Sequence, residues 1–251
     1  REKARYAHNY WDEKTHSAVS EMKEDVLVLD AMALKDICYM IPCPKSPHGC
    51  DVDPSGEYIC GSGKLAALIP VFSYTKMLKA IETKNYEGDY QGIPVLKYDA
   101  VLHGEVQKPG LGPLHTEFDG KGNAYTTMFV SSEVVKWDIK TLKVLDRVPT
   151  YYSVGHLMIP GGDSRKPFGK YMVAYNKITK DRYLPTGPEL TQSAQLYDIS
   201  GDKMQLILDF PTIGEPHYAQ AAPADLIRNN GQLKFYKIED NQHPFVTKGE
   251  K

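Results

Sequence analysis

One spacing constrains this chain more than any other feature of it. A short β-prone run ends in aspartate four times: "VLVLD" at Asp30, "VLKYD" at Asp99, "VVKWD" at Asp138 and "QLYD" at Asp198. Each is followed by a second run and then a proline, Pro42, Pro109, Pro149 and Pro211, at 12, 10, 11 and 13 residues from its aspartate. A histidine comes next, His48, His115, His156 and His217, at 6, 6, 7 and 6 residues past those prolines. The aspartate-to-histidine interval is therefore 18, 16, 18 and 19 residues, although the aspartates themselves lie 69, 39 and 60 residues apart. A constant module between unequal insertions marks a repeat whose loops vary in length.

The chain around the modules is turn and strand. "DPSG" leads into "EYICGS", "DGKGN" into "AYTTMFV", and "KYMVAYN" follows a Gly/Pro-rich loop after His156. Asp-Pro-Ser-Gly and Asp-Gly are turn chemistry, because proline presets φ and glycine accepts positive φ. Alternating Ile, Val, Thr and Tyr elsewhere read as half-buried strands. Helix is expected only over Tyr74 to Lys84 ("YTKMLKAIETK") and for a turn or two in "APADLIRN". Each unit then reads as strand, Asp turn, strand, proline, histidine loop and hairpin strand. The shortest spacing of 39 residues is close to the roughly 40 to 50 residues and four strands of one propeller blade. The fold class is all-β, a β-propeller, with residues 1–251 supplying about four blades of one propeller domain. Every blade of a propeller presents its innermost strand to a common central channel, so residues at equivalent places converge. Any one of these histidines alone would read as a core or surface residue; in register, the set reads as four imidazoles pointing at one axis.

Neutral imidazole suits copper, zinc and iron and needs no charge compensation in a dry channel. A hydrolytic zinc site ordinarily takes three protein ligands and a water, whereas a ring of more than three histidines fits a copper centre or a cluster better. Glu215, two residues before His217, has two readings: an acceptor that fixes the tautomer of a ligand, or a solvated loop residue. Two alternatives stay open. One is a propeller scaffold whose histidines are structural; the other is a mononuclear metallohydrolase with Glu215 or Asp51 as base. Nothing resembles a nucleophile elbow, and "GSGK" at Gly61 to Lys64 lacks the spacing of a phosphate loop and reads as strand.

Composition removes other classes. Thirty basic against thirty-two acidic residues leave no electrostatic footprint for nucleic acid or an anionic membrane. The longest apolar run, "LAALIPVF" from Leu65 to Phe72, has eight residues and a proline, whereas a spanning helix takes about 20. Cys38, Cys43, Cys50 and Cys60 have neither zinc-pair nor redox spacing and read as small buried strand residues or, at most, one disulfide.

Longer stretches carry a resemblance. "GLGPLHTEFDGKG" followed by "NAYTTMFVSSEVVKWD", "GHL" followed by "KITKDRYLPTGP", and "YDISGDKMQLILDFPT" followed by "GEPH" are similar to the catalytic propeller of the nitrous oxide reductase family, over about Val26 to His217. The resemblance implies a seven-bladed propeller holding a tetranuclear copper-sulfide cluster on seven histidines, a binuclear copper site in a separate cupredoxin domain, and room for structural calcium. His48 in "PHG", His115 in "LHT", His156 in "GHL" and His217 in "EPH" match four of the ligands, and Lys177 in "NKITKDRY" matches the lysine beside the cluster. It further implies reduction of nitrous oxide, a c-type cytochrome or small copper protein as electron donor, a homodimer and a periplasmic location. The "HYAQ" continuation is closer to the branch exported by the Sec route. The remaining three ligands, a His-His pair among them, and the cupredoxin domain have no counterpart here, so part of the enzyme is expected from this chain. His8 and His16 do not align with that pair, and His103 and His243 fit no motif.

Overall fold

A computed structural model describes residues 38–178 and 192–229. Three of its four sheets are four-stranded and antiparallel. The first contains β1 (Pro47–Val52), β2 (Tyr58–Gly63), β3 (Leu68–Ser73) and β6 (Leu102–Gln107), in that order. The second runs β7 (Pro113–Phe118), β8 (Asn123–Met128), β9 (Glu133–Asp138) and β10 (Val144–Pro149). The third runs β11 (Tyr152–Met158), β12 (Tyr171–Ile178), β13 (Gln192–Asp198) and β14 (Gln205–Thr212). Each strand pairs with its successor in the same blade, and the first strands β1, β7 and β11 touch across blade boundaries. This is a propeller with β1, β7 and β11 innermost, as the repeat predicts.

The cores lie between blades. Trp137, Val135, Ala124, Met128 and Phe118 of the second blade pack against Ile69, Val71, Val106 and Cys60 of the first. On its other face Tyr125 and Val134 meet Met172, Ala174, Tyr197 and Leu157 of the third. Both faces of β8 and β9 are covered, so "AYTTM" and "VVKW" are buried almost throughout. Doubly covered strands lose the alternation of apolar and polar residues and become near-continuous apolar runs. Polar side chains there are partnered: Trp137 Nε1 donates to Thr126 Oγ1 at 2.9 Å, and the Thr116 and Thr126 hydroxyls lie 2.7 Å apart. The outer strand β14 is exposed instead, with Leu206, Ile207 and Leu208 each at least half accessible.

Aspartates close the hairpins. Asp138 Oδ1 accepts from the backbone N–H of Thr141 at 2.7 Å, and Asp198 Oδ1 from that of Ser200 at 2.7 Å. Both end the third strand of a blade, as the repeat requires, and the side chain imitates a backbone turn. Asp99 does not. "VLKYD" starts in the last two residues of β5 (Ile93–Leu96) and runs into the one-turn helix α2 (Tyr98–Val101), which contains Asp99, within an insertion between β3 and β6 that also contains α1 (Tyr74–Glu82) and β4 (Tyr86–Tyr90). The third strand of that blade is β3, which carries no aspartate. The insertion packs Met77, Ala80, Leu96 and Val101 against Phe72 of β3 in a separate small core, and burying Leu96 and Val101 there takes the run out of the blade. Asp30 lies outside the described residues.

α1 and the closing helix α3 (Ala224–Asn229) match the expected helices. Ser73 caps α1 by accepting from the Lys76 N–H at 3.1 Å. All four cysteines are free thiols. Cys60 is buried in the core between blades while Cys43 and Cys50 are exposed, so the reading as buried strand residues holds for Cys60 and the one allowed disulfide is absent. No helix among the described residues is long and apolar enough to cross a membrane.

Candidate metal centre

Three of the four histidines are not in loops. His48, His115 and His156 lie within the innermost strands β1, β7 and β11, each at an irregularity of register. Pro47 pairs with Gly63 and Cys50 with Gly61; Pro113 pairs with Met128 and Thr116 with Thr126; Val154 pairs with Asn176 and Leu157 with Ala174. In all three the inner strand advances three residues while its partner advances two. A β-bulge inserts one residue, bends the strand and re-aims a side chain. His48 takes the first of the two interior positions, whereas His115 and His156 take the second. His217 lies in the irregular segment after β14, beyond the third blade.

The four imidazoles form one chain of contacts. Ring centroids of His48 and His115 are 5.0 Å apart and meet edge-on at 74°. His115 and His156 stack at 3.7 Å and 18°, and His156 and His217 lie 4.7 Å apart at 48°. His115 Nε2 is buried and has no hydrogen-bond partner, while its Nδ1 lies 3.7 Å from Asp51 Oδ1. Burial, followed by the fields of His115, His217, His48 and Lys177, pushes His156 down to about 4. His48 is lowered by burial and then by His115, Lys64, Lys177 and His217. Neutral imidazoles with free nitrogen lone pairs are the form that binds metal, and an orphaned buried Nε2 is a donor atom without an acceptor to serve. In chemistry, the donor set fits a histidine-ligated copper group. In geometry the rings lie side by side, and among the described residues no three His, Cys, Asp or Glu side chains already enclose a metal-sized point.

Lys177, near the end of β12, donates from Nζ to Glu215 Oε1 at 2.5 Å. The carboxylate also stands 3.9 Å from His217 Nδ1 and is half exposed, so both readings of Glu215 keep support, and the lysine is a nearer partner that neither named. The hydrogen bond from Lys177 is the chief reason that the Glu215 carboxyl is held below the usual carboxylate range. Gly155 makes room for the pair, since a Cβ there would stand 2.9 Å from Lys177 Cε. His103 lies apart on β6, its Nε2 3.3 Å from the Lys140 carbonyl. His8, His16 and His243 lie outside the described residues.

Beside the rings is a cavity of about 270 Å³ bounded by Asp51, His115, Glu117, His156, Asp163 and Tyr218. Tyr218 meets the His156 ring edge-on at 5.1 Å and donates to Asp163 Oδ2 at 3.1 Å. Glu117 is 6% exposed and accepts from the Ile159 N–H. Burial, with Asp163 and Asp51 adding to it against the Ile159 N–H, pushes Glu117 up to about 8. Sequence reasoning passes over Glu117, Asp163 and Tyr218. The two-residue period from His115 along "HTEF" is a signal for Glu117, and Tyr218 adjoins a predicted ligand, but Asp163 sits in a loop that gives none.

Fold and site together define a β-propeller that gathers histidines from successive innermost strands at its channel. The pattern of the nitrous oxide reductase propeller repeat matches residues 147–217, from the end of β10 to His217. Nitrous-oxide reductase of Stutzerimonas stutzeri is 37% identical over 217 residues, 82% of this chain and 31% of that protein. The Ralstonia nicotianae enzyme is 36% identical over 222 residues, 84% of this chain and 32% of that protein. The chain belongs to the nitrous oxide reductase family, as part of its propeller. It spans about a third of the length of these curated relatives.

Proposed function

We propose that this chain contributes four histidine ligands, His48, His115, His156 and His217, to a copper-sulfide cluster that reduces nitrous oxide, N2O + 2 e⁻ + 2 H⁺ → N2 + H2O. One observation carries the reading. Four imidazoles from three bulged inner strands and the following segment meet in one place, and the buried Nε2 of His115 has no partner. The cluster, when bound, would supply the two electrons and a multi-metal surface for an inert substrate that is a poor ligand.

The chain's own residues would do the rest. The low proton affinity of His48 and His156 keeps their lone pairs available at neutral pH. The cavity of about 270 Å³ beside the rings is ample for a triatomic substrate, since about 150 Å³ already accommodates benzene. Lys177 holds its proton on Nζ beside the rings, oriented by Glu215, where it would donate to the oxygen that leaves as water. Electron supply from a c-type cytochrome or small copper protein through a binuclear copper site, assembly as a homodimer, structural calcium and a periplasmic location complete the proposal. They rest on the family alone.

The test is metal content with a visible absorption spectrum on the longest natural version of this chain, expressed with export and copper supplied, because the 251 residues alone are expected to be incomplete and inactive. Multinuclear copper with intense sulfide-to-copper bands, lost together in His115→Ala and His156→Ala, is the expected result. A folded, colourless and copper-free protein would refute the proposal and favour the scaffold reading.

A further inference from the structure

Two of the three bulges that hold histidines are tied to one another by a single hydroxyl. Ser62, on β2 of the first blade, is 2% exposed. Its Oγ accepts from the Gly49 N–H at 2.7 Å, inside the bulge that carries His48. The same hydroxyl donates to the Leu114 carbonyl, inside the bulge that carries His115. Gly49 has no room for a side chain, because a Cβ would run into that carbonyl and Ser62 Oγ. A second tie lies one step along the strands, where Asp51 Oδ2 accepts from the Thr116 N–H at 2.7 Å. Neither tie belongs to a β ladder. A bulge leaves backbone groups without ladder partners, and here the freed N–H of one blade and the freed carbonyl of the next share one hydroxyl.

We infer that Ser62 is a positioning residue, which fixes His48 and His115 relative to one another across the blade boundary. The bulges set where each ring points within its own blade, but nothing within a blade sets the distance between rings of different blades. Apolar packing between blades is non-directional and leaves freedom of sliding that a donor and an acceptor on one oxygen remove. Its importance for metal binding rests on the proposed function, whereas its effect on ring placement does not. Groups that orient ligands in this way typically change metal affinity by roughly ten- to a hundredfold when removed.

The experiment uses the full chain with ¹³C-labelled histidine rings, first without copper. His48 sits edge-on to His115 at 5.0 Å, so its ring protons feel the neighbouring ring current and report the pair's geometry. In Ser62→Ala, the His48 and His115 signals are expected to move and broaden while those of His103 stay in place. Gly49→Ala, which attacks the same junction from the other strand, is expected to move the same two signals. Unmoved His48 and His115 signals in both variants would overturn the inference. So would uniform movement of every histidine, or loss of the fold in Ser62→Ala, since either gives the hydroxyl a general structural role. Copper titration of the longest natural version of the chain follows, with a roughly ten- to hundredfold weaker affinity expected in Ser62→Ala. A wild-type chain that binds no copper but passes the ring-signal test would sink the functional proposal and leave the positioning role standing.

Discussion

Glu117 makes a prediction that the structure quantifies. The carboxyl is 6% exposed and binds its proton in the folded chain up to about pH 8, against 4.5 when unconstrained. A group whose folded value is raised contributes fully below its unfolded value, and the contribution is lost as pH rises through the folded one. The window is therefore pH 4.5 to 8, with stability falling throughout it. At pH 7 the unfolded chain gains by ionising Glu117 while the folded chain gains little, a difference of about 3 kcal/mol; at pH 5 the same linkage gives about 1 kcal/mol. Some 2 kcal/mol should thus vanish between pH 5 and pH 7 for this side chain alone.

Glu117→Gln removes the titration and keeps an oxygen to accept from the Ile159 N–H, while the new amide faces a cavity that Asp163 also lines. The assay is urea unfolding of copper-free wild type and variant at several pH values from 5 to 8, read as the difference between them so that other titrating groups cancel. The two should converge near pH 5, and the variant should be more stable by about 2 to 3 kcal/mol at pH 7. Parallel curves would refute the reasoning. A variant weaker than wild type at pH 7 would do so more sharply, because it would mean that the carboxylate is charged and stabilising in the native state.

Trp137 is fully buried between the first two blades, with its Nε1–H on Thr126. Trp137→Phe should cost about 1 to 3 kcal/mol by the same urea assay, from lost volume and one hydrogen bond, and an unchanged midpoint would show that this core is not close-packed. His156 acts on pH with the opposite sign to Glu117. Its folded value of about 4 lies below the unfolded 6.5, so acidification from pH 6.5 towards 4 should destabilise the copper-free chain. His156→Asn should flatten that acid limb, and an identical limb would contradict the placement of the ring among imidazoles and Lys177.

Much of the site was legible in the sequence because a repeat writes its equivalence into spacing. His48, His115 and His156 could be placed together since a propeller turns equal positions in successive units into neighbours in space. Proline spacing worked for the same reason: Pro109 stands between the outer strand of one blade and the inner strand of the next, and Pro149 ends the outer strand β10. Asp99 shows where the argument fails. An insertion can carry a short run of the right residues at a plausible interval, and only the pairing of β3 with β6 shows that the run lies outside the blade. Glu215 shows a second limit, because its two-residue offset points to His217, 3.9 Å away, but not to the nearer Lys177 ammonium brought in from β12.

By itself, then, the order of residues determined the all-β class, the repeat, the four histidines brought together and the family to which the chain belongs. These properties are periodic or local: turn chemistry at Asp138 and Asp198, apolar runs in doubly covered strands, and a near-constant interval from those two aspartates to His156 and His217. Tertiary structure alone decided that three of the histidines ride on bulges, that Glu117 is buried beside Asp163, that Lys177 pairs with Glu215, and that Ser62 joins two blades. Each of those depends on which atoms of distant segments arrive within about 3 Å of one another, and on how much water they exclude in doing so. No spacing along a single chain encodes either quantity.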